Sequence, residues 1–402
     1  MNGIHRTAAA AALLLALPLS VAASTPASAT SPLLAVSATS AGSAGFADSA
    51  TVPAAFHIEL PRPTGPNAVG RQILHLVDQD RPDPWVPSAG PRQLMVSMYY
   101  PAVAGTGGPA PYTTPQAARL ILDRFLPGNT IPTEALAGLR TWSRSDALPR
   151  HGRFPLVLLS PGFIMPRTEL TSLAEDLASR GYVVALVDHT YENTGTTFPD
   201  GQTLTCAAIC DAPPPGGPAV VEASRAKDLS FVVDQLTDRS RPAWRYAHMI
   251  DAHRIGIAGH SMGGAAAVPA LATDDRIRAG VDLDGTMHYP VPAGGLGGKP
   301  YMMIGHPLPD GQVDTSWTGA WANLDGWKRW LTVAGSDHGT FTDDNLLLVG
   351  LGHPNPTTIT PERGIDLTRE YVAAFFDLQL KDIPQPILDG PTAANPEVSF
   401  HQ

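Results

Sequence analysis

The chain has 402 residues, 43% of them hydrophobic and 16% charged, with a formal net charge of −10. That is enough apolar material for a large core, in a single α/β domain or two small ones. The charge is spread thinly with no basic block, which argues against nucleic acid as a partner, because phosphate binding needs clustered Lys and Arg.

In chain order, residues 1–29 read as an export signal peptide. Arg6 gives a positive start, an Ala/Leu run interrupted by Pro18 follows, and Ala27-Ser28-Ala29 fits a small-x-small cleavage site. The run is short for the roughly 20 apolar residues of a membrane span. No second long apolar stretch appears, so the mature protein is expected to be secreted, without a transmembrane segment. Residues 30–55 are rich in Ala, Ser and Thr, lack periodicity and read as a disordered lead-in. Residues 56–402 read as one folded domain.

The first strands are expected at 72–78 and 93–101. Residues 155–163 form a continuous apolar run, as in a strand buried on both faces. Residues 169–182 have helical spacing and a Gly stop, and 183–188 is a second buried strand. A loop rich in Pro, Gly and Thr spans about 189–219 and precedes a helix at 222–236. It carries Cys206 and Cys210, for which export favours a local disulfide over free thiols or zinc. Further strands are expected at 254–259, 279–285, 300–305 and 329–335, a helix from Ser261, and a closing amphipathic helix at 364–380.

Alternation of strands and helices from about residue 155 predicts an α/β fold: a mostly parallel central sheet with helices on both faces. Ligands of such sheets sit beyond the carboxyl ends of the strands. That singles out Ser160-Pro161-Gly162, Asp188-His189, His260-Ser261, Asp284 and Ser336-Asp337-His338.

Gly259-His260-Ser261-Met262-Gly263 matches G-x-S-x-G, in which a strand turns sharply into a helix with serine at the bend. Side chains two positions before and after would collide with backbone, so both must be very small. Ser261 is the expected nucleophile. A serine hydroxyl needs a base, and the base an orienting carboxylate. His338, just after the last strand, suits the base. His260 should point away at the tight turn, and His306 and His353 lie in Pro-containing loops. For the acid, Asp284 ends the strand after the serine helix and Asp310 follows the next strand. Asp282 lies deeper, and Asp337 is too close to His338 to orient it. Phe163 and Met262 are the expected oxyanion-hole amides. Asp188 and His189 fit neither the order nor the spacing and read as site-wall or structural residues.

These motifs together resemble the α/β-hydrolase superfamily. Within it the chain resembles the secreted platelet-activating-factor acetylhydrolase (lipoprotein-associated phospholipase A2) family and its bacterial relatives, through "PTGPNAVGRQILHLVD", "LMVSMYYPA", "LVLLSPGF", "GHSMGG", "GVDLDGTM" and "GSDHGTF". The resemblance implies a Ser261-Asp284-His338 triad, an oxyanion loop at Gly162-Phe163, an acyl-enzyme and no metal or organic cofactor. Cutinases and polyester hydrolases share the "SPGF"-like and "GHSMGG" stretches, and their acid maps nearer Asp310. The chain departs from the family at "GTMHYP" after the acid and in the loop 190–219, both expected near the acyl or leaving group. Trp317, Trp321, Trp327 and Trp330 either fill the core or line that pocket. The expected partner is a small-molecule, lipid or polymer ester. A non-catalytic binding protein on this scaffold is the rival, although no triad member is missing.

Overall fold

The computed structural model describes residues 56–401; the expected export signal and lead-in lie outside them. A long antiparallel hairpin, β1 (Ala68–Pro82) and β2 (Pro91–Ala102), comes first. Short β3 (Gly108–Pro109), α1 (Pro115–Phe125), α2 (Glu134–Ala137) and β4 (Ser143–Ser145) follow. The repeating part then begins with β5 (Phe154–Ser160), α3 (Thr171–Ser179) and β6 (Val183–His189). A small ribbon, β7 (Thr196–Thr197) with β8 (Thr203–Leu204), precedes α4 (Pro218–Thr237), β9 (Ile250–His260), α5 (Met262–Ala265) and α6 (Ala267–Thr273). The rest is β10 (Ile277–Leu283), β11 (Tyr301–Gly305), α7 (Thr315–Asn323), β12 (Lys328–Val333), α8 (Asp344–Gly350), α9 (Pro361–Lys381) and β13 (Val398–His401).

Eleven strands form one sheet in the order β13-β12-β11-β10-β9-β5-β6-β2-β1-β4-β3. From β12 to β6 every neighbouring pair is parallel. The β1–β2 hairpin and β13 add antiparallel edges. This is the mostly parallel sheet expected from the alternation, and the α/β-hydrolase arrangement that the resemblance implies. The apolar runs at β5 and β6 feed both faces because strand side chains alternate. Leu156, Leu158, Val183, Ala185 and Val187 meet α4 and α6 on one side. Val157, Leu159, Val184 and Leu186 meet α3 and α9 on the other.

The expected strand 155–163 stops at Ser160, because Pro161 lacks an N–H for the ladder. The helix expected from Ser261 runs as two short pieces, since Pro269 in α6 cannot donate back to Ala265. The strand β13, only four residues long, gave no periodic signal, yet it completes one wall of the site.

Candidate active site

The bend at Ser261 is built by exclusion of side-chain volume. Ser261 has φ 53° and ψ −123°, a left-handed conformation that L-residues adopt at a cost. A Cβ on Gly259 would lie 2.3 Å from the Gly263 carbonyl carbon, and one on Gly263 would lie 2.0 Å from the Ser160 oxygen. The Ser261 N–H is anchored to the Leu283 carbonyl at 2.8 Å, which ties the bend to the neighbouring strand.

Asp284 follows β10, also in the left-handed region with φ 62°. Its Oδ2 accepts from Nδ1 of His338 at 2.5 Å. His338 opens a one-turn 3-10 helix after β12, capped by Asp337, whose carboxylate is taken up by Thr340 and Asn345. Asp337 therefore serves the turn and not the imidazole. Asp310 lies in the exposed turn 309–311 and accepts no hydrogen bond from His338. Asp282 is fully buried, where desolvation raises its carboxyl, and it accepts from the Gly285 N–H at 2.9 Å. Ser261, Met262, Asp284 and His338 line one cavity of about 470 Å³.

Two imidazoles set aside at first also serve this centre. His306 donates both its backbone N–H (2.8 Å) and Nδ1 (2.7 Å to Oδ2) to Asp284. Burial alone would raise the Asp284 carboxyl. The hydrogen bonds from His306 and His338 outweigh it and hold the group below its usual range. The bond to Asp284 in turn raises the His306 imidazole. The signal was present in the sequence: His306, like Asp284, is a polar residue at the carboxyl end of a strand. Ligand atoms of Asp284, His306 and His338 lie within 4.8 Å of one another, but both Nδ1 atoms are engaged with the carboxylate.

His260, as expected, points away from the cavity. Its Nδ1 faces Glu169 Oε1 at 3.3 Å and its Nε2 faces the His338 carbonyl at 2.9 Å. Both partners offer acceptor oxygens, an arrangement that favours a ring protonated on both nitrogens. Burial would lower this group, but the Glu169 carboxylate raises it to about 9. His260 thereby braces the backbone of His338.

Asp188 and His189 are structural. Asp188 binds the Arg167 guanidinium and backbone N–H, and His189 bridges Ser160 (2.9 Å) and Asp228 (2.8 Å) in the interior. Cys206 and Cys210 are joined by a disulfide. No residue of the loop 190–219 lines the cavity, contrary to the expectation drawn from its departure from the family pattern; its buried polar side chains face the protein instead. Thr286 and His288 of "GTMHYP" do line it. Of the tryptophans, Trp317 and Trp330 line the cavity while largely buried, with rings edge-on at 5.7 Å. Trp330 also stacks on His401 at 4.6 Å. Trp321 packs behind Trp330, and Trp327 packs on Phe375 on the opposite face of the sheet. No helix among the described residues is long and apolar enough to cross a membrane.

Comparison with known proteins places these features in context. The family model of platelet-activating factor acetylhydrolase, isoform II, matches residues 120–203 and 234–382, more than half of the chain. A fungal protein named probable 1-alkyl-2-acetylglycerophosphocholine esterase, from Arthroderma benhamiae, is 29% identical over 377 residues, covering 85% of this chain and 93% of its own. The bis(hydroxyethyl) terephthalate hydrolase of Streptomyces coelicolor is 30% identical over 132 residues, 33% of each chain. Among solved structures, a ferulic acid esterase from Streptomyces cinnamoneus superposes with a TM-score of 0.77 at 43% identity, covering 86% of this chain and 99% of that one.

Proposed function

Since the chain belongs to the platelet-activating factor acetylhydrolase, isoform II, family and is a carboxylic ester hydrolase, we propose that it is a secreted serine esterase acting through Ser261, His338 and Asp284. The observation that carries this reading is the 2.5 Å contact from His338 to Asp284 at the rim of a cavity that also holds the strained Ser261. His338 takes the Ser261 proton as the hydroxyl oxygen attacks the ester carbonyl. The Phe163 and Met262 amides receive the oxyanion of the tetrahedral intermediate. Collapse expels the alcohol, which takes the proton from His338. Water, deprotonated by the same imidazole, then attacks the acyl-serine, and His338 returns that proton to the Ser261 oxygen as the carboxylic acid leaves. Asp284 holds the tautomer and stabilises the transient imidazolium.

The cavity supports compact, uncharged acyl groups. Its lining includes Met262, Leu308, Val313, Trp317 and Trp330, with Thr286, Gln312, Asp314 and several histidines among the polar groups, and no Lys or Arg among the described residues. Relatives named for ferulic acid and terephthalate, both aromatic acids, agree with alkyl esters of aromatic acids as a second substrate class beside acetyl esters. The leader at residues 1–29 and the Cys206–Cys210 disulfide support export.

The test is Ser261→Ala, assayed on p-nitrophenyl esters from acetate to palmitate alongside methyl ferulate, a phospholipid and a polyester film. The variant should melt as wild type, lose hydrolysis by at least about 10⁴-fold and fail to take up a fluorophosphonate. Wild-type activity should fall with acyl length. Hydrolysis and labelling that survive in Ser261→Ala would remove the nucleophile from this reading. A wild-type protein inert to every ester and to the fluorophosphonate would favour the binding-protein alternative.

A further inference from the structure

The turn that carries the Phe163 amide is held in place by a buried set of charges. Arg225, on α4 and 1% exposed, directs its guanidinium at the Pro161 carbonyl and, at 3.4 Å, the Gly162 carbonyl. From the other side Glu169, also 1% exposed, accepts the Gly162 N–H at 2.5 Å. One residue further on, the Ile164 N–H donates to the Glu192 carbonyl and the Ile164 carbonyl accepts from Thr194. Across residues 162–164, only the Phe163 N–H has no acceptor among the described residues. Every peptide bond there is trans, so N–H and C=O point in opposite directions. The pull of Arg225 on the Gly162 carbonyl therefore turns the Phe163 N–H away from Arg225.

The guanidinium is itself fixed. Arg225 Nε donates to Glu192 Oε2 at 2.7 Å, and Glu192 Oε1 accepts from Trp85 Nε1 at 2.7 Å and Arg92 at 3.4 Å. Arg92, fully buried, also binds Asp83 and Asp228. Burying charges is costly even when they are paired, and apolar side chains of the same volume could fill the space beneath a simple loop. What they could not do is donate to two carbonyl oxygens at once, as the two terminal nitrogens of Arg225 do.

We propose that Arg225 and Glu169 are positioning residues for catalysis, fixing the Pro161-Gly162-Phe163 turn so that the Phe163 N–H stays aimed at the developing oxyanion. The proposal rests on the reading of Ser261 as nucleophile and Phe163 as oxyanion donor. It also links the two halves of the site, because Glu169 grips the turn and, through His260, the backbone of His338. Preorganisation of this kind lowers the barrier without strengthening ground-state binding.

Arg225→Lys keeps the charge and loses the fork; Arg225→Ala leaves a cavity that a free guanidinium ion can enter. Both are assayed per active site, counted by fluorophosphonate titration, with melting followed in parallel. Arg225→Lys should lose about 10- to 100-fold in kcat with KM within about twofold of wild type. Its affinity for a trifluoromethyl ketone, which forms an oxyanion adduct, should fall in step with kcat/KM. Guanidinium at tens of millimolar should restore part of the kcat of Arg225→Ala and none of Ser261→Ala. A folded Arg225→Lys with wild-type kcat overturns the proposal. So does a loss that vanishes once activity is expressed per titrated site, or a pair of variants that neither fold nor respond to guanidinium, since Arg225 would then serve folding alone. If wild type does not react with the fluorophosphonate, the nucleophile reading fails first.

Discussion

Two Ser, His, Asp sets stand out among the described residues, and they differ in what surrounds them. In the interior, His189 is bonded on both sides, to Ser160 at 2.9 Å and Asp228 at 2.8 Å, and is 1% exposed. At the cavity, His338 is bonded to Asp284 alone, and its side chain is 52% exposed. Burial first, and then the nearby Arg225, lower the His189 imidazole, so it resists taking up a proton. A general base must become an imidazolium in mid-reaction. Ser160 also ends an ordinary strand, whereas Ser261 occupies a left-handed bend. The completed hydrogen-bond chain is the structural one. The cavity set leaves one ring nitrogen of His338 without a partner among the described residues and keeps Ser261 on strained backbone.

The sharpest way to break this contrast is to neutralise each carboxylate. Asp284→Asn should cost about 10³- to 10⁴-fold in kcat, with melting nearly unchanged. Asp310→Asn should stay within about twofold. If only Asp310→Asn abolishes activity, the acid has been misassigned. Asp228→Asn should act in the opposite manner. It leaves Arg92 and Arg81 short of a buried partner and should destabilise by about 3–5 kcal/mol in denaturant melts. A stable Asp228→Asn with lost turnover would make the interior set part of the chemistry.

A smaller effect should appear in the pH dependence of stability. The Glu169 carboxylate raises the His260 titration to about 9 against the effect of burial. Relative to an unfolded value near 6.5, its contribution is fully present below pH 6.5, declines above that and is lost beyond about 9. The span is on the order of 3 kcal/mol. Thermal melts of wild type should therefore fall more steeply between pH 6.5 and 9.5 than those of His260→Gln. Parallel curves would show that the ring is not charged in the folded protein.

Much of the centre was legible in sequence because its members obey local rules. Ser261 carries its glycines two positions away on each side, Asp284 directly follows a strand, and His338 lies in the turn after the last parallel one. The order of β5, β6, β9, β10, β11 and β12 followed from apolar runs bounded by Gly and Pro. The supporting groups were harder to read because their partners are remote. Arg92 reaches Asp228 across 136 positions, and His260 reaches the His338 carbonyl across 78. No spacing rule links such pairs, and a buried Arg or His looks in sequence like a surface one. Trp317 and Trp330 were ambiguous for a different reason: each contributes to the core and to the cavity at once, so the two readings were not alternatives.

The glycine contacts at the bend bear on how this enzyme could be re-engineered. Gly259, Gly263 and Gly285 admit no larger residue, since each added Cβ would sit within 2.3 Å of backbone. Saturation mutagenesis at these positions should return only inactive clones, whatever substrate is screened. Library diversity aimed at a new acyl preference belongs on the far wall, at Leu308, Val313, Trp330 and His401, where the cavity can change shape without disturbing the serine.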